Sequence, residues 1–239
     1  MTENNSLMDR FSKFQKWNFR GMREEVSAVL KKAIFEGLYE PGQQIYEAEL
    51  AKTLGLSRGP IREALLQLEK ESLVEHIFNR GWFVIELQPQ KLKEIIGIRA
   101  VLELIALKLA RQKITERDLK RLRKIQANMA KAHEQQKLDD AIQADFQFHQ
   151  ELWKISGHRV LEDTLKAVTT PYFAFFRVIR LREPVDVESY GQTVKNHLDI
   201  LDFLAGQADI SAETCLARHF RMPDLGDWRS LLSLLCDQE

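Results

Sequence analysis

The longest continuous pattern in this sequence is helical, and it runs from about Gln90 almost to the C-terminus. Apolar residues recur at the spacing of amphipathic helices, and no stretch alternates apolar with polar residues as an exposed strand does. Short breaks divide the region into helices near 90–112, 116–136, 138–155, 158–182, 187–205 and 208–221, with a short tail helix expected after Asp227. The pattern predicts a mainly α fold in which residues 90–239 form an antiparallel bundle of six or seven helices.

Residues 23–87 follow a different pattern, in which short helices precede a hairpin. Apolar residues up to Ile34 have helical spacing, so a first helix is expected to end at Gly37. A second short helix is expected over 47–54, where Gly55 can take the positive φ of a C-cap. Both helices belong to a small N-terminal domain whose sequence pattern differs from that of the bundle.

A third helix is expected to open at Ser57, whose hydroxyl can accept an orphan backbone N–H of the first turn. Pro60 falls in that turn, where a missing N–H does little harm. Two extended pieces at 74–78 and 82–87 then flank Asn79-Arg80-Gly81, a hairpin tip where Gly can adopt a positive φ. Helix, helix, tight turn, helix and hairpin together predict a winged helix-turn-helix domain.

The positions of three arginines indicate what this domain binds. The inner face of the third helix is apolar, whereas Arg58 and Arg62 lie one turn apart on its outer face and Arg80 lies at the hairpin tip. A generic small α+β domain would share the hydrophobic pattern but not this placement of cations. The first residues of a recognition helix meet base edges and phosphates in the major groove, so the pattern favours DNA binding.

Composition, and the lack of a recognisable membrane span or secretory signal in this sequence, predict a cytoplasmic protein. Lys and Arg total 35 and Asp and Glu total 35, so any DNA binding must come from locally placed cations. No apolar run approaches a membrane span, and the N-terminus has no secretory h-region. Cys215 and Cys236 are too few for a disulfide scaffold and fit a reducing cytosol. The N-terminal extension, residues 1–22, interleaves basic and aromatic residues, which fits either a nucleic-acid contact or a solvated charged face.

Four potential metal ligands lie within the predicted bundle. Asp145 and His149 are four residues apart, so they share one helix face. His197 and His219 lie on apolar stripes of the last two helices, where a lone histidine is more often a core residue. Spacing alone does not show that these helices converge. If they do, one carboxylate with three imidazoles suits Zn²⁺, Ni²⁺ or a similar divalent ion and leaves positions open for a ligand.

A dense, ordered set of motifs fills the N-terminal segment: Gly37, Pro41-Gly42, Leu50-Ala51, Leu54-Gly55-Leu56-Ser57-Arg58, Pro60-Ile61-Arg62-Glu63-Ala64-Leu65, Leu68, Leu73-Val74 and Asn79-Arg80-Gly81. Together they resemble the DNA-binding domain of the GntR family of bacterial transcription regulators. The resemblance implies that DNA is contacted by Ser57, Arg58, Gly59, Arg62, Arg80 and Gly81. Ala48 stands where many relatives carry Arg, and Gly59 replaces a frequent Thr, so operator affinity or half-site sequence is expected to differ from better-known members.

The helical region carries a second resemblance through Arg99 to Glu103, Phe148-His149 and Ser156-Gly157 followed by Val160-Leu161. These segments are similar to the FCD effector domain of the FadR-like branch of the same family. The resemblance implies that Asp145, His149, His197 and His219 converge on one divalent metal. Asn196 departs from the pattern, because Glu commonly precedes the ligand at this place.

The same resemblance implies what the pocket and the protein bind. A small carboxylic acid is expected to reach the metal, with Arg99 as a carboxylate clamp or, equally, as a partner for Glu103. Arg177 is a second effector candidate on a long helix. A homodimer is expected to bind double-stranded operator DNA with palindromic symmetry and to change its DNA affinity when the acid binds. Whether the protein is a repressor or an activator stays open.

Three other functions compete with this hypothesis. A metalloenzyme fused to a DNA-binding head could use an Asp/His₃ site, but the sequence has no HExxH and no paired Glu-x-x-His motifs. A regulator whose signal is the metal itself would have the same four ligands. An acyl-CoA regulator would need a larger apolar cavity and no metal. We therefore expect a regulator and not an enzyme.

Overall fold

A computed structural model describes residues 22–180, 187–207 and 210–221. These residues divide into two compact units, one formed by 22–86 with 174–180 and the other by the remaining residues from 87 onward. The N-terminal extension and the tail helix expected after Asp227 lie outside the described residues.

The first unit is a three-helix head with a small sheet. Its helices are α1 (Met22–Phe35), α2 (Glu47–Leu54) and α3 (Arg58–Lys70), and its strands are β1 (Gln44–Ile45), β2 (Val74–Ile77) and β3 (Gly81–Val84). The strands form an antiparallel sheet in the order β1-β3-β2. The predicted winged helix-turn-helix is confirmed. Strand β1 is an addition, since two residues are too short for a recognisable alternation.

The hairpin of β2 and β3 forms the wing. The two strands pair from Val74 opposite Val84 to Ile77 opposite Gly81, which leaves residues 78–80 at the tip. Gly81 has φ 95°, as the hairpin signal predicts, and Asn79 also has a positive φ of 60°. Strand β2 ends one residue earlier than predicted, and β3 begins one residue earlier and ends three residues earlier, because the ladder runs only from the pair of Val74 and Val84 to the pair of Ile77 and Gly81.

The amphipathic character of α3 places its arginines on the surface. Its inner face is completely buried and consists of Ile61, Ala64, Leu65 and Leu68. Arg58 and Arg62 therefore lie on the exposed face. Ser57 has the extended backbone of an N-cap, but its side chain makes no capping hydrogen bond. The expectation that the Ser57 hydroxyl caps α3 is wrong, and this hydroxyl lies exposed at the front of the helix.

Two glycines beside α3 give a matched test of backbone conformation. Gly55 has φ 66° at the C-cap of α2, whereas Gly59 lies inside α3, and a Cβ at either would meet no atom within 4 Å. Gly55→Ala is expected to lower the free energy of unfolding by about 1 kcal/mol, because left-handed backbone disfavours a Cβ. Gly59→Ala should not lower it, since Ala suits helical backbone better than Gly. Urea unfolding checks both, and equal losses would contradict the assigned backbone.

The helices that follow agree closely with the predicted ones. They are α4 (Pro89–Lys113), α5 (Glu116–Glu134), α6 (Leu138–Ile155), α7 (Arg159–Arg180), α8 (Val187–Ala205) and α9 (Ala212–Phe220). The last turns of α7 belong to the first unit, where Ala174 and Val178 join its core. Helix α9 begins later than predicted, because the Ser211 side chain accepts a hydrogen bond from the backbone N–H of Thr214 at 3.1 Å and so caps the helix there.

The second unit buries a set of charged and polar residues among its helices. Helix α4 packs against α6, α8 and α9, and α8 packs against α9. The buried residues on these four helices include Arg99, Glu103, Asp145, His149, His197 and His219. None of the helices in the described ranges is both long enough and apolar enough to cross a membrane. Buried charges require partners, so this set marks the candidate site.

Candidate metal centre and nucleic-acid interface

The four predicted metal ligands come together inside the second unit. Asp145 and His149 lie one turn apart on α6, His197 lies on α8 and His219 lies on α9. Their candidate ligand atoms all lie within 4.8 Å of one another, and all four residues are buried. The convergence that spacing alone left open is therefore present.

Five buried nitrogen and oxygen atoms of these four residues have no hydrogen-bond partner, and three of the five lie close together. Asp145 Oδ1 lies 3.3 Å from His149 Nε2 and 3.2 Å from His197 Nε2, and all three atoms are buried without a hydrogen bond. A buried polar atom without a partner costs about 1–3 kcal/mol. A divalent cation would satisfy the lone pairs of all three atoms, so the donor set fits a metal such as Zn²⁺ or Ni²⁺.

The other ring nitrogens of two imidazoles face acceptors. His149 Nδ1 lies 2.7 Å from Glu103 Oε2, and His197 Nδ1 lies 2.9 Å from the carbonyl oxygen of Thr193. An acceptor at Nδ1 favours the tautomer with its proton there and leaves Nε2 able to bind a metal. Sequence reasoning missed this role of Glu103. Its only signal was a carboxylate four residues after Arg99.

Arg99 and Glu103 form a buried ion pair behind the cluster. Arg99 Nε donates to Glu103 Oε1 at 2.7 Å, and the two residues are 3% and 0% exposed. Burial alone would raise the pKa of Glu103, but Arg99 and His149 outweigh burial and lower this pKa to about 2. Glu103 is therefore ionised at neutral pH and stabilises positive charge on His149.

The ligands themselves have shifted proton affinities. Burial alone would raise the pKa of Asp145, but the approach of His149 and His197 holds it well below its usual range. Burial, together with His197 and His149, lowers the pKa of His219 well below its ordinary value. Burial alone would lower the pKa of His149, but Glu103 raises it. At neutral pH Asp145 is thus ionised and His219 neutral, whereas protons compete with a metal at His149.

Glu103→Gln is expected to weaken metal binding by about 10- to 100-fold, because it removes the negative charge behind His149 while keeping the size of the side chain. Competition with a chromogenic chelator measures the affinity. Glu94→Gln is the matched control, since Glu94 lies on the same helix and pairs on the surface with Lys91. Equal metal affinity in both variants would show that Glu103 does not support the site.

Two residues close to the ligands in sequence have other partners. The Asn196 amide donates to the carbonyl oxygen of Arg218 at 2.8 Å, so its substitution for the usual Glu removes a charge without leaving an open polar group. The Cys215 thiol is buried and donates to the carbonyl oxygen of Asp199 at 3.5 Å. Burial raises the pKa of Cys215 to about 11. Cys215 is thus a buried thiol and does not belong to the cluster.

The two effector candidates lie in different units. The Arg99 guanidinium carbon lies 4.9 Å from the ring centroids of both Phe173 and Phe220, and Arg99 Nη2 is buried without a hydrogen bond. The Arg177 guanidinium lies 4.4 Å from the ring centroid of Phe35, and both of these residues belong to the first unit. Arg99 is therefore joined to the cluster through its ion pair, and an effector role for either arginine stays a prediction.

The predicted DNA contacts lie at the front of α3 and on the wing. At the front of α3, the exposed residues are Ser57, Arg58, Gly59 and Arg62. On the wing, Arg80 is exposed, with its guanidinium 5.0 Å from the ring centroid of Phe83, and Gly81 is partly exposed. Arg62 is held by two hydrogen bonds to Glu47, a residue that sequence reasoning did not single out. All six residues are accessible, as a DNA contact requires.

A head with a recognition helix and a wing, followed by a helical domain with an Asp/His₃ cluster, is the architecture of a helix-turn-helix transcription regulator. Residues 22–84 match the bacterial regulatory proteins of the gntR family, and residues 94–222 match the FCD domain. The chain belongs to the GntR family and carries an FCD domain, which confirms the resemblance seen in the sequence. The proteins of these families that it matches are transcription regulators and not enzymes.

Individual relatives agree with this assignment. The chain is 36% identical over 140 residues to the HTH-type transcriptional regulator YdhC of Bacillus subtilis, a match that spans 58% of this chain and 62% of that protein. It is 29% identical over 188 residues to the Nta operon transcriptional regulator of Aminobacter aminovorans, with 77% and 83% of the two chains covered. Among solved structures, E. coli McbR/YncC has the same fold, with a TM-score of 0.64, 24% identity, and coverage of 84% of this chain and 93% of that chain.

Proposed function

We propose that this regulator senses a small organic acid, which binds a metal-containing pocket of the FCD domain and changes the affinity of the head for its operator. The observation that carries the proposal is the buried cluster of Asp145, His149, His197 and His219. Its partnerless atoms would be stabilised by a divalent transition metal, with zinc or nickel best suited to the donors. Where the ion takes five or six ligands, these four residues leave positions for a ligand from solution.

The surroundings of the cluster favour a carboxylate as that ligand. A bound divalent ion supplies a Lewis-acidic anchor for a carboxylate oxygen. Arg99 Nη2 is buried and without a hydrogen bond, so it can donate to the same anion. The rings of Phe173 and Phe220 exclude water from this guanidinium, which strengthens the interaction. Arg177 is the lesser candidate, because its ring contact is with Phe35 of the first unit.

On the DNA side, the proposal assigns Arg58 and Arg62 to the major groove and the wing tip at Arg80-Gly81 to the minor groove. Both arginines lie on the exposed face of α3. Arginine forms bidentate contacts with guanine, which discriminate against other bases by about 1–3 kcal/mol each. A homodimer would place two such heads on a palindromic operator, since a two-fold protein matches a two-fold site.

The response to the acid is conformational. Acid binding favours one arrangement of the effector domains and so alters the spacing or mobility of the two heads. It can do so only by as much as its affinity differs between the two arrangements. A second candidate is a regulator whose signal is the divalent metal itself. The same four buried ligands support it, because they would bind the ion without any acid.

A thermal-shift screen of small carboxylic acids, run in parallel on metal-loaded and chelator-treated protein, tests the proposal. Certain acids are expected to raise the melting temperature of the metal-loaded protein and to have no effect after chelation. Stabilisation by metal with no further effect of any acid would favour the second candidate. Acids that stabilise the chelated protein equally would contradict a role of the metal in binding them.

A further inference from the structure

Arg62 is held in place by a carboxylate from the neighbouring helix. Its Nε donates to Glu47 Oε1 at 3.1 Å and its Nη2 donates to Glu47 Oε2 at 3.0 Å, which is a bidentate pair. The Arg62 side chain is 64% exposed, whereas that of Glu47 is only 18% exposed. The carboxylate is thus the anchored member of the pair, and the guanidinium is the member that faces solvent.

Glu47 is itself fixed by the wing. Trp82 Nε1 donates to Glu47 Oε1 at 3.0 Å, so this one oxygen accepts hydrogen bonds from both Trp82 and Arg62. The Trp82 ring is buried in the core of the first unit and lies opposite His76 in the β2–β3 ladder. Contacts of Glu47 therefore join α2, α3 and β3 and leave the carboxylate little freedom to move.

The ion pair with Glu47 determines which N–H donors of Arg62 remain available to DNA. A guanidinium has five N–H donors, and Glu47 uses one on Nε and one on Nη2. Both N–H groups of Nη1 and one of Nη2 are left, and they form the outer end of the fork. Two parallel donors at that end match O6 and N7 of guanine in the major groove.

We propose that Glu47 is a positioning residue for sequence recognition: held by Trp82, it directs the outer end of the Arg62 guanidinium at a guanine and keeps Arg62 from acting as a phosphate clamp. The inference rests on the proposed docking of α3 in the major groove. It further requires that the ion pair of Glu47 and Arg62 persists in the complex with DNA. Base selectivity then depends on Glu47, a residue that does not touch DNA.

Charge also favours a base over a phosphate. The carboxylate of Glu47 neutralises Arg62 locally. Alone, Arg62 would attract a phosphate and Glu47 would repel one. The contact with Arg62 lowers the pKa of Glu47 and the contact with Glu47 raises the pKa of Arg62, so both stay ionised at neutral pH. A neutralised arginine gains little from a phosphate but keeps its directional donors for a base edge.

Glu47→Gln tests the proposal, because the amide has the same size but cannot accept hydrogen bonds at both ends and carries no charge. Glu49→Gln is the control, since Glu49 is an exposed carboxylate on the same helix. The probe is a duplex selected from randomised DNA by the wild-type protein, together with derivatives in which each G·C pair is replaced by A·T. Affinity for every duplex is measured over a range of salt concentrations, and melting temperature is measured for each variant.

The wild type and Glu49→Gln are expected to lose about 5- to 150-fold in affinity when the guanine read by Arg62 is replaced. Glu47→Gln should lose most of this preference, and its salt dependence should steepen by about one phosphate contact, because the released arginine can move to the backbone. Glu47→Asp keeps the charge but is shorter, so it should lose guanine preference while its salt dependence stays that of the wild type.

Unchanged guanine preference in Glu47→Gln and Glu47→Asp would overturn the proposal, and so would a loss of preference that only follows a fall in melting temperature. If Arg62→Ala retains the preference at every guanine, Arg62 reads no base and the role of Glu47 is wrong. Failure of the docking itself is distinguished by Arg58→Ala, which keeps wild-type affinity only if α3 does not enter the groove.

Discussion

His197→Ala is expected to abolish stoichiometric metal binding, with a loss of affinity greater than about 100-fold, because even residues behind metal ligands are worth about 10- to 100-fold. His197 Nε2 is one of the buried atoms of the cluster without a hydrogen bond, and its Nδ1 is already engaged with Thr193. Removal of the imidazole leaves three of the four candidate ligands. Metal content after dialysis and thermal stabilisation by added zinc or nickel measure the effect.

His133→Ala is the matched control for this experiment. His133 is a half-buried histidine of α5 whose ring lies 6.0 Å from that of Tyr190, and it does not belong to the cluster. It should therefore keep the metal content of the wild type. Full metal content in His197→Ala would mean that the ion binds elsewhere or that the ligand set is wrong.

Arg58→Ala is expected to weaken binding to the selected duplex by about 5- to 150-fold, the worth of one good bidentate contact. The Arg58 side chain is exposed and attracts Glu47 only electrostatically, as the weakest of the contributions that lower the pKa of Glu47, so its loss should cost the fold little. Fluorescence anisotropy measures the affinity, and urea unfolding checks that the stability of the head is unchanged.

Arg159→Ala is a control for the loss of one positive charge. Its side chain is 93% exposed, and the residue lies in the second unit, outside the predicted DNA surface. An equal loss of affinity in both variants would point to a general electrostatic effect. Wild-type affinity in Arg58→Ala would contradict the docking of α3.

Local structure was predictable where the backbone takes a left-handed conformation that glycine adopts more readily than other residues. Gly55 and Gly81 have the positive φ that their places at a helix end and a hairpin tip predict. The break at 156–157 is likewise marked by Gly157, with φ 64°. Strand β1 and the start of α9 were less predictable. The first depends on pairing with β3, far along the chain, and the second on a cap at Ser211.

The candidate metal site likewise has one part that local sequence predicts and another that depends on packing. The pair of Asp145 and His149 follows from the spacing of one helix, whereas His197 and His219 join it only because α8 and α9 pack together. Neither Glu103 behind His149 nor Glu47 behind Arg62 could be assigned from the sequence. The first contact spans two helices and the second lies between residues 15 apart, so only the packed structure reveals which carboxylate meets which partner.

The most direct test of the account measures affinity for the selected duplex with and without a stabilising acid, in metal-loaded wild type and in His197→Ala. A coupling of about 1–3 kcal/mol is typical of allosteric regulators, so the acid should change the dissociation constant of the wild type by about 5- to 150-fold. The account predicts no change in His197→Ala or after chelation. The same change in all three samples would contradict the claim that the metal cluster links the acid to DNA binding.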